Sequence, residues 1–254
     1  MDGGGKPIAL PSRGDKIDPE WRIYGRSAGD DKAPIITILN AVDALQSSKI
    51  GFTSNIKLFF EGEEEAGSTN LKAHLLRHKA LLDDIDIWLF CDGPVHQSRR
   101  PQLVFGVRGV TGMEVTVYGA TRALHSGHYG NWAPVPGQML ARLIASMKNE
   151  DGKVLVDNFY DTVEPLSEFE RLELAKIPNV DIQLKNELGL AFTEGEGRTI
   201  NERLLLPSLT IKGLASGNVG KKARNVIPNT ATTAIGVRLV KGNVPEDMLD
   251  RVES

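Results

Sequence analysis

Glu61, Glu63, Glu64 and Glu65 crowd the end of an apolar run, Ile56-Lys-Leu-Phe-Phe60, and a Gly67-Ser68 turn follows them. Adjacent carboxylates repel, so a fold that keeps them together needs compensating positive charge, from Lys or Arg partners or from a bound metal. Alone, such a cluster reads as a solvated acidic loop. The preceding Leu58-Phe59-Phe60 points instead to a strand that ends in a covered site. Other residues have types suited to the same chemistry. Asp30 stands just before a helical pattern, Asp92 ends a second apolar run, and His125 and His128 flank Gly127. Each has a plainer reading when seen alone. Asp30 suits a helix N-cap, and Asp92, before Gly93-Pro94, suits a turn. The histidines suit a surface loop, and Arg238, in an alternating strand, an outward-facing charge.

The elements that must position these groups follow from hydrophobic period. Ile35, Ile38, Leu39, Val42 and Leu45 form one face of a helix over 33–48. A strand over 56–61, a helix over 69–82 and a doubly buried strand over 85–92 complete a helix, strand, helix, strand order. That order predicts right-handed crossovers and a parallel sheet. In such sheets ligand-binding groups gather beyond the carboxyl ends of the strands, where Glu64, Glu65 and Asp92 would converge.

Beyond Arg108 the pattern changes. Residues 113–118, 208–212 and 233–240 read as strands. A helix over 137–147 turns Leu140, Leu143, Ile144 and Met147 to one side, and Pro245 opens a last helix. This is an α+β layer with an antiparallel sheet. Residues 149–201 are rich in charge and turns, with a short helix at 166–176. The expected fold class is therefore α/β: a partial parallel-sheet domain over 1–108 and an α+β domain over 109–254.

Bulk properties exclude several classes. The chain has 254 residues, of which 41% are hydrophobic, enough for a sizeable core. A net charge of -3, from 30 basic and 33 acidic residues spread along the chain, leaves no nucleic-acid footprint. No apolar run reaches the roughly 18 residues of a membrane span. One cysteine, Cys91, rules out an intrachain disulfide framework and suits a reducing compartment. Met1–Lys6 has no apolar signal-peptide core. The expectation is a soluble, cytoplasmic protein. No glycine-rich phosphate loop follows a strand, which argues against a nucleotide-binding protein.

Five segments, in order, carry a resemblance: Tyr24-Gly-Arg-Ser-Ala-Gly-Asp-Asp-Lys32, Glu61-Gly-Glu-Glu-Glu-Ala-Gly-Ser68, Cys91-Asp-Gly93, Leu124-His-Ser-Gly-His-Tyr-Gly130 and Ala223-Arg-Asn-Val-Ile-Pro228, with Arg238-Leu-Val240 beyond. Together they resemble the dinuclear-zinc metallopeptidases and amidohydrolases, which include carnosine-type dipeptidases, acetylornithine deacetylase, aminoacylase and glutamate carboxypeptidase. The dipeptidase branch is the most similar. The resemblance implies a zinc-peptidase catalytic domain followed by a lid and dimerisation domain. It implies cleavage of the amide bond of a small peptide or N-acyl amino acid, with two zinc ions per site; manganese or cobalt would suit the same oxygen-rich ligands. Asp30 would bridge the metals, Glu65 and Asp92 would each bind one, and Glu64 would be the general base. His125 would reach across a homodimer interface to steady the developing oxyanion. Asn225 would contact substrate, and Arg238 would grip its carboxylate with two prongs.

Two histidines of the family's metal site are missing. The five present are His74, His78, His96, His125 and His128, whereas the family uses one before the Asp-Asp-Lys segment and one near its C-terminus. Met1-Asp-Gly3 is similar to the tail of the family's His-x-Asp-Gly, which would make Asp2 the aspartate that orients a metal-bound histidine. Arg251-Val-Glu-Ser254 breaks off within a helical pattern, before a final lid strand. The expectation is an internal fragment of a protein about twice this length, binding zinc weakly through carboxylates and turning over little. The alternative is a catalytically inactive relative that retains only a dimerisation or interaction module.

Overall fold

The computed structural model describes residues 6–9, 11–93, 95–195 and 197–254, in two compact units, one ending at residue 94 and the other running from Val95 to Ser254. In the first unit, a proline in the opening turn and apolar residues at helical spacing fold Ala33–Ser47 into α1. Lys32 holds the N-cap position without a side-chain cap, so Asp30 is not the cap of this helix. The helix expected over 69–82 is α2, Leu71–Arg77, continued by a 3-10 turn at Lys79–Leu81.

The two strands expected here, and with them the parallel sheet, are not formed among the described residues. Neither 56–61 nor 85–92 pairs with a neighbour. The runs do lie side by side: the Phe59 and Trp88 rings meet edge to face at 6.2 Å, and Lys57 Nζ donates to the Leu81 carbonyl at 2.7 Å. A strand is defined by the backbone bonds of its neighbours, and no such bond joins these two. Their apolar side chains are consequently open, Phe60 at 60% and Phe90 at 86% exposure.

The second unit is an α/β layer with an antiparallel sheet. Its elements are β1 (Gly109–Tyr118), β2 (Leu124–His125), α3 (Ser126–Tyr129), α4 (Pro136–Met147), α5 (Glu168–Lys176), α6 (Asp181–Glu187), α7 (Ile200–Leu204), β3 (Ser208–Ala215), β4 (Val226–Ile227), β5 (Thr230–Leu239) and α8 (Pro245–Glu253). β5 is central, with β1 and β3 antiparallel on either side, and β2 pairs with β4 in a separate small ladder. The register runs Gly109↔Leu239 to Tyr118↔Thr230, and Ser208↔Arg238 onward, with a bulge between Ile211 and Gly213.

Alternation along β5 decides which face is inside. Ala231, Thr233, Ile235, Val237 and Leu239 are buried, and with Leu209, Met147 and Met248 they form the core beneath α4 and α8. Leu140 is also fully buried on α4, but Leu143 is 40% exposed, so the apolar stripe read for that helix is narrower than expected. The charged segment 149–201 is anchored to this core. Phe159 is buried within it, Tyr160 Oη accepts from the Val154 amide at 3.0 Å, and Arg251 donates to the Asn158 carbonyl. Among the described residues, no helix is long and apolar enough to cross a membrane.

Candidate active site

Three separate stretches of the first unit bring carboxylates into one electrostatic neighbourhood. Glu64 opens a 3-10 turn, Glu64–Ala66, closed by Gly67 at φ 90°, a backbone angle that suits glycine. Its carboxyl is pushed above the ordinary range by loss of solvent first, then by Asp92, Glu65, Asp30 and Glu61. Asp92 is raised likewise, by loss of solvent, then by the charges of Asp30 and Asp31, a hydrogen bond with Asp30, and Glu65. Both residues are exposed by area, so neighbouring atoms displace part of their water rather than all of it. Asp30, Glu64, Glu65 and Asp92, all sequence candidates, are therefore gathered; Asp2 lies outside the described residues.

The cluster is partly neutralised. Arg26 Nη2 meets Glu65 Oε2 at 2.9 Å, and Asn70 binds both oxygens of Glu63 at 3.0 Å through its amide. Glu63 thus has a local task at the entrance to α2, and Glu65 is held by Arg26. Arg26 and Asn70 were missed by sequence reasoning, because neither stands at a recognisable spacing from the acids. Glu61 keeps one buried oxygen, Oε1, without a hydrogen-bond partner. An orphaned acceptor among mutually repelling carboxylates suits a divalent cation in both charge and donor type. Even so, no three His, Cys, Asp or Glu among the described residues stand as a finished metal cage. The site is a convergence of charge.

The second unit holds the other candidates in two places. The β2–β4 ladder sets His125 opposite Val226, and the Ser126 amide donates to the Asn225 carbonyl at 3.0 Å, so His125 and Asn225 are brought together. His125 Nδ1 accepts from the Gly127 amide at 3.1 Å. In the neutral ring the proton then sits on Nε2, which becomes a donor. The His128 ring lies 4.8 Å away. Arg238 is elsewhere. β4 leads into the Thr230 end of β5, and Arg238 lies about 26 Å along that strand. Arg238 is exposed, opposite Val110 and Ser208, and its charge bears on half-buried Arg108 just before β1.

The peptidase dimerisation domain family matches residues 105–254. The chain is 29% identical over 240 residues to the Cys-Gly metallodipeptidase dug1 of Schizosaccharomyces pombe, covering 93% of this chain and 50% of that protein. It is 30% identical over 227 residues to the Beta-Ala-His dipeptidase of Homo sapiens, covering 87% and 44%. The structure of human carnosine dipeptidase 1 superposes with a TM-score of 0.76 at 28% identity, covering 96% of this chain and 54% of that one. That of an M20 family metallo-carboxypeptidase from Sulfolobus solfataricus gives 0.73 at 28%, covering 89% and 52%. The chain spans about half the length of the curated relatives it matches. An antiparallel sheet under two helices, the ordered motifs and these matches lead to one conclusion: the chain belongs to the M20 metallopeptidase family and carries its peptidase dimerisation domain.

Proposed function

We propose that this chain supplies the base, the metal-binding acids and the substrate clamp of a metal-dependent hydrolase that cleaves the amide bond of dipeptides or N-acyl amino acids. The observation that carries the reading is the convergence of Asp30, Glu64, Glu65 and Asp92 from three stretches of sequence. Asp30, Glu65 and Asp92 would hold the metal, and Asp2 would orient a metal-binding group. Zinc is the expected metal, with manganese or cobalt as substitutes suited to oxygen donors. Bound there, the metal ions would acidify water and polarise the amide carbonyl.

The chain's own residues do the rest. Glu64, surrounded by acids, holds a proton more readily than an isolated glutamate, as suits a group that takes one from attacking water and passes it to the leaving nitrogen. His125 offers an Nε2 proton to the carbonyl oxygen as negative charge builds. Asn225 contacts the substrate, and Arg238 binds its free carboxylate in two-pronged fashion. The length of β5 between the His125 end and Arg238 supports a homodimer in which His125 serves the partner's site. Residues 1–108 are read as part of a catalytic domain and 109–254 as a lid and dimerisation domain, in a cytoplasmic protein.

Equilibrium dialysis against zinc, with turnover of a dipeptide measured on the same samples, tests the reading. Binding is expected to weaken at least about tenfold in Glu65→Ala and Asp92→Asn. Glu64→Gln is expected to keep its metal and lose turnover by about a hundredfold or more. Metal uptake indifferent to Glu65 and Asp92 would sink the metal site. Zinc uptake that depends on Glu65 without turnover would favour the inactive dimerisation module.

A further inference from the structure

Arg108 and Arg238 set two guanidinium groups on one face of the sheet with no acid between them. β1 and β5 pair Gly109 with Leu239 and Val110 with Arg238. One residue before β1, Arg108 continues that register on the face of Val110, diagonal to Arg238, where neighbours on paired strands are about 7–8 Å apart and within reach of long side chains. The opposite face carries the buried Val237 and Leu239. Across from Arg238 on β3 is Ser208, a hydroxyl. The acid of β1 on the arginine face is Glu114, opposite Ala234, about 13 Å along β5 from Arg238.

Neither guanidinium makes an ion pair with a carboxylate among the described residues. Burial lowers the proton affinity of Arg108, and the Arg238 charge lowers it further. Arginine does not escape such repulsion by losing its proton, because it stays charged across the working range. What relieves two fixed, adjacent, unpaired cations is an anion, and one with two charged ends relieves both.

We propose that Arg108 and Arg238 form a site for a dicarboxylate, with Arg238 on the terminal carboxylate of a peptide and Arg108 on a second carboxylate carried by its last side chain. The substrate class is then peptides that end in an acidic residue. The assignment rests on the reading of Arg238 as the carboxylate clamp. Arg108 acts here as a specificity residue.

The test is titration of the full chain with glutarate, butyrate, inorganic phosphate, and the dipeptides Ala-Glu and Ala-Gln, followed by calorimetry or, for millimolar binding, by chemical shift. Glutarate is expected to bind about tenfold or more tighter than butyrate, and Ala-Glu tighter than Ala-Gln by a similar factor. Arg108→Gln should erase both differences while leaving butyrate and Ala-Gln unchanged, which also shows that the variant is folded. Arg108→Lys should restore part of each. Glutarate bound no better than butyrate, or bound equally by Arg108→Gln, overturns the proposal. Phosphate bound tighter than glutarate overturns the carboxylate assignment. Binding of glutarate without Ala-Glu overturns the peptide class and the clamp reading of Arg238, while leaving the arginine pair as an anion site.

Discussion

At the scale of single residues, small groups hold the central sheet together. Thr233 is buried on β5, and its hydroxyl donates to the Gly213 carbonyl at 2.8 Å, beside the bulge that takes Lys212 out of register. Thr233→Val keeps the shape and removes the donor, so the Gly213 carbonyl at the bulge loses this part-buried bond. A loss of about 1 kcal/mol is expected in urea unfolding. Gly112 is required by close approach: a Cβ there would stand 2.4 Å from the Ile235 carbonyl oxygen. Gly112→Ala should therefore cost more than the Thr233 change, about 2–3 kcal/mol in the same measurement. His125 is governed by one backbone amide. With Gly127 N–H on Nδ1, its neutral ring should show the Nε2-protonated tautomer in nitrogen-15 spectra. The opposite tautomer would remove the donor on which its proposed role depends.

At the scale of elements, the segment 149–201 is built from short helices made stable by their ends. Ser167 and Glu170 form a capping box at α5, with Glu170 Oε2 accepting from the Ser167 amide at 2.7 Å; Thr199 and Glu202 repeat the device at α7, also at 2.7 Å. The Ser167 amide and hydroxyl hold the Glu170 carboxyl below its ordinary range, and Thr199 does the same for Glu202. A carboxyl that is more acidic when folded stabilises the fold above its unfolded value. That contribution is lost as pH falls through the lower folded value. The helical content of this segment should accordingly hold from neutral pH down to the ordinary carboxylate range and decline below it. Ser167→Ala should cost about 1 kcal/mol at pH 7 and make the acid decline shallower, read by circular dichroism against pH. An unchanged acid limb would show that the cap contributes no pH dependence.

At the scale of the whole molecule, burial is unequal between the two units. In the second, one core joins the sheet, α4, α8 and Phe159, and Ile235 and Val237 have no exposed surface. In the first, α1 and α2 bury no residue completely, and Phe60, Leu89 and Phe90 are open. Amides open to solvent without ladder partners exchange quickly, and those at the centre of a packed sheet exchange last. Hydrogen exchange should therefore find the slowest amides in β5 around Ile235–Val237 and fast exchange across 56–61 and 85–92. Protection of 56–61 equal to that of β5 would contradict the described pairing.

Much of this protein was legible in the sequence because the relevant physics is local. Alternation at 113–118 and 233–240 named the strands of the antiparallel sheet, since a half-buried strand must repeat every second residue. Pro245 marked a helix start because proline suits the first turn. The ordered acid and histidine motifs named the family, because each motif is short and contiguous. The sequence could not decide whether 56–61 and 85–92 become strands, since an apolar run becomes one only when a neighbour supplies backbone bonds. Nor could it show Arg26 against Glu65, Asn70 against Glu63 or Arg108 beside Arg238. Arg26 and Arg108 meet partners far along the chain, and Asn70 meets Glu63 seven residues back across a turn; folding alone brings each pair within reach. Residue types and periods were thus determined by the sequence itself, whereas the partner of each charge was decided by tertiary structure, because electrostatic energy depends on distance in space rather than on position along the chain.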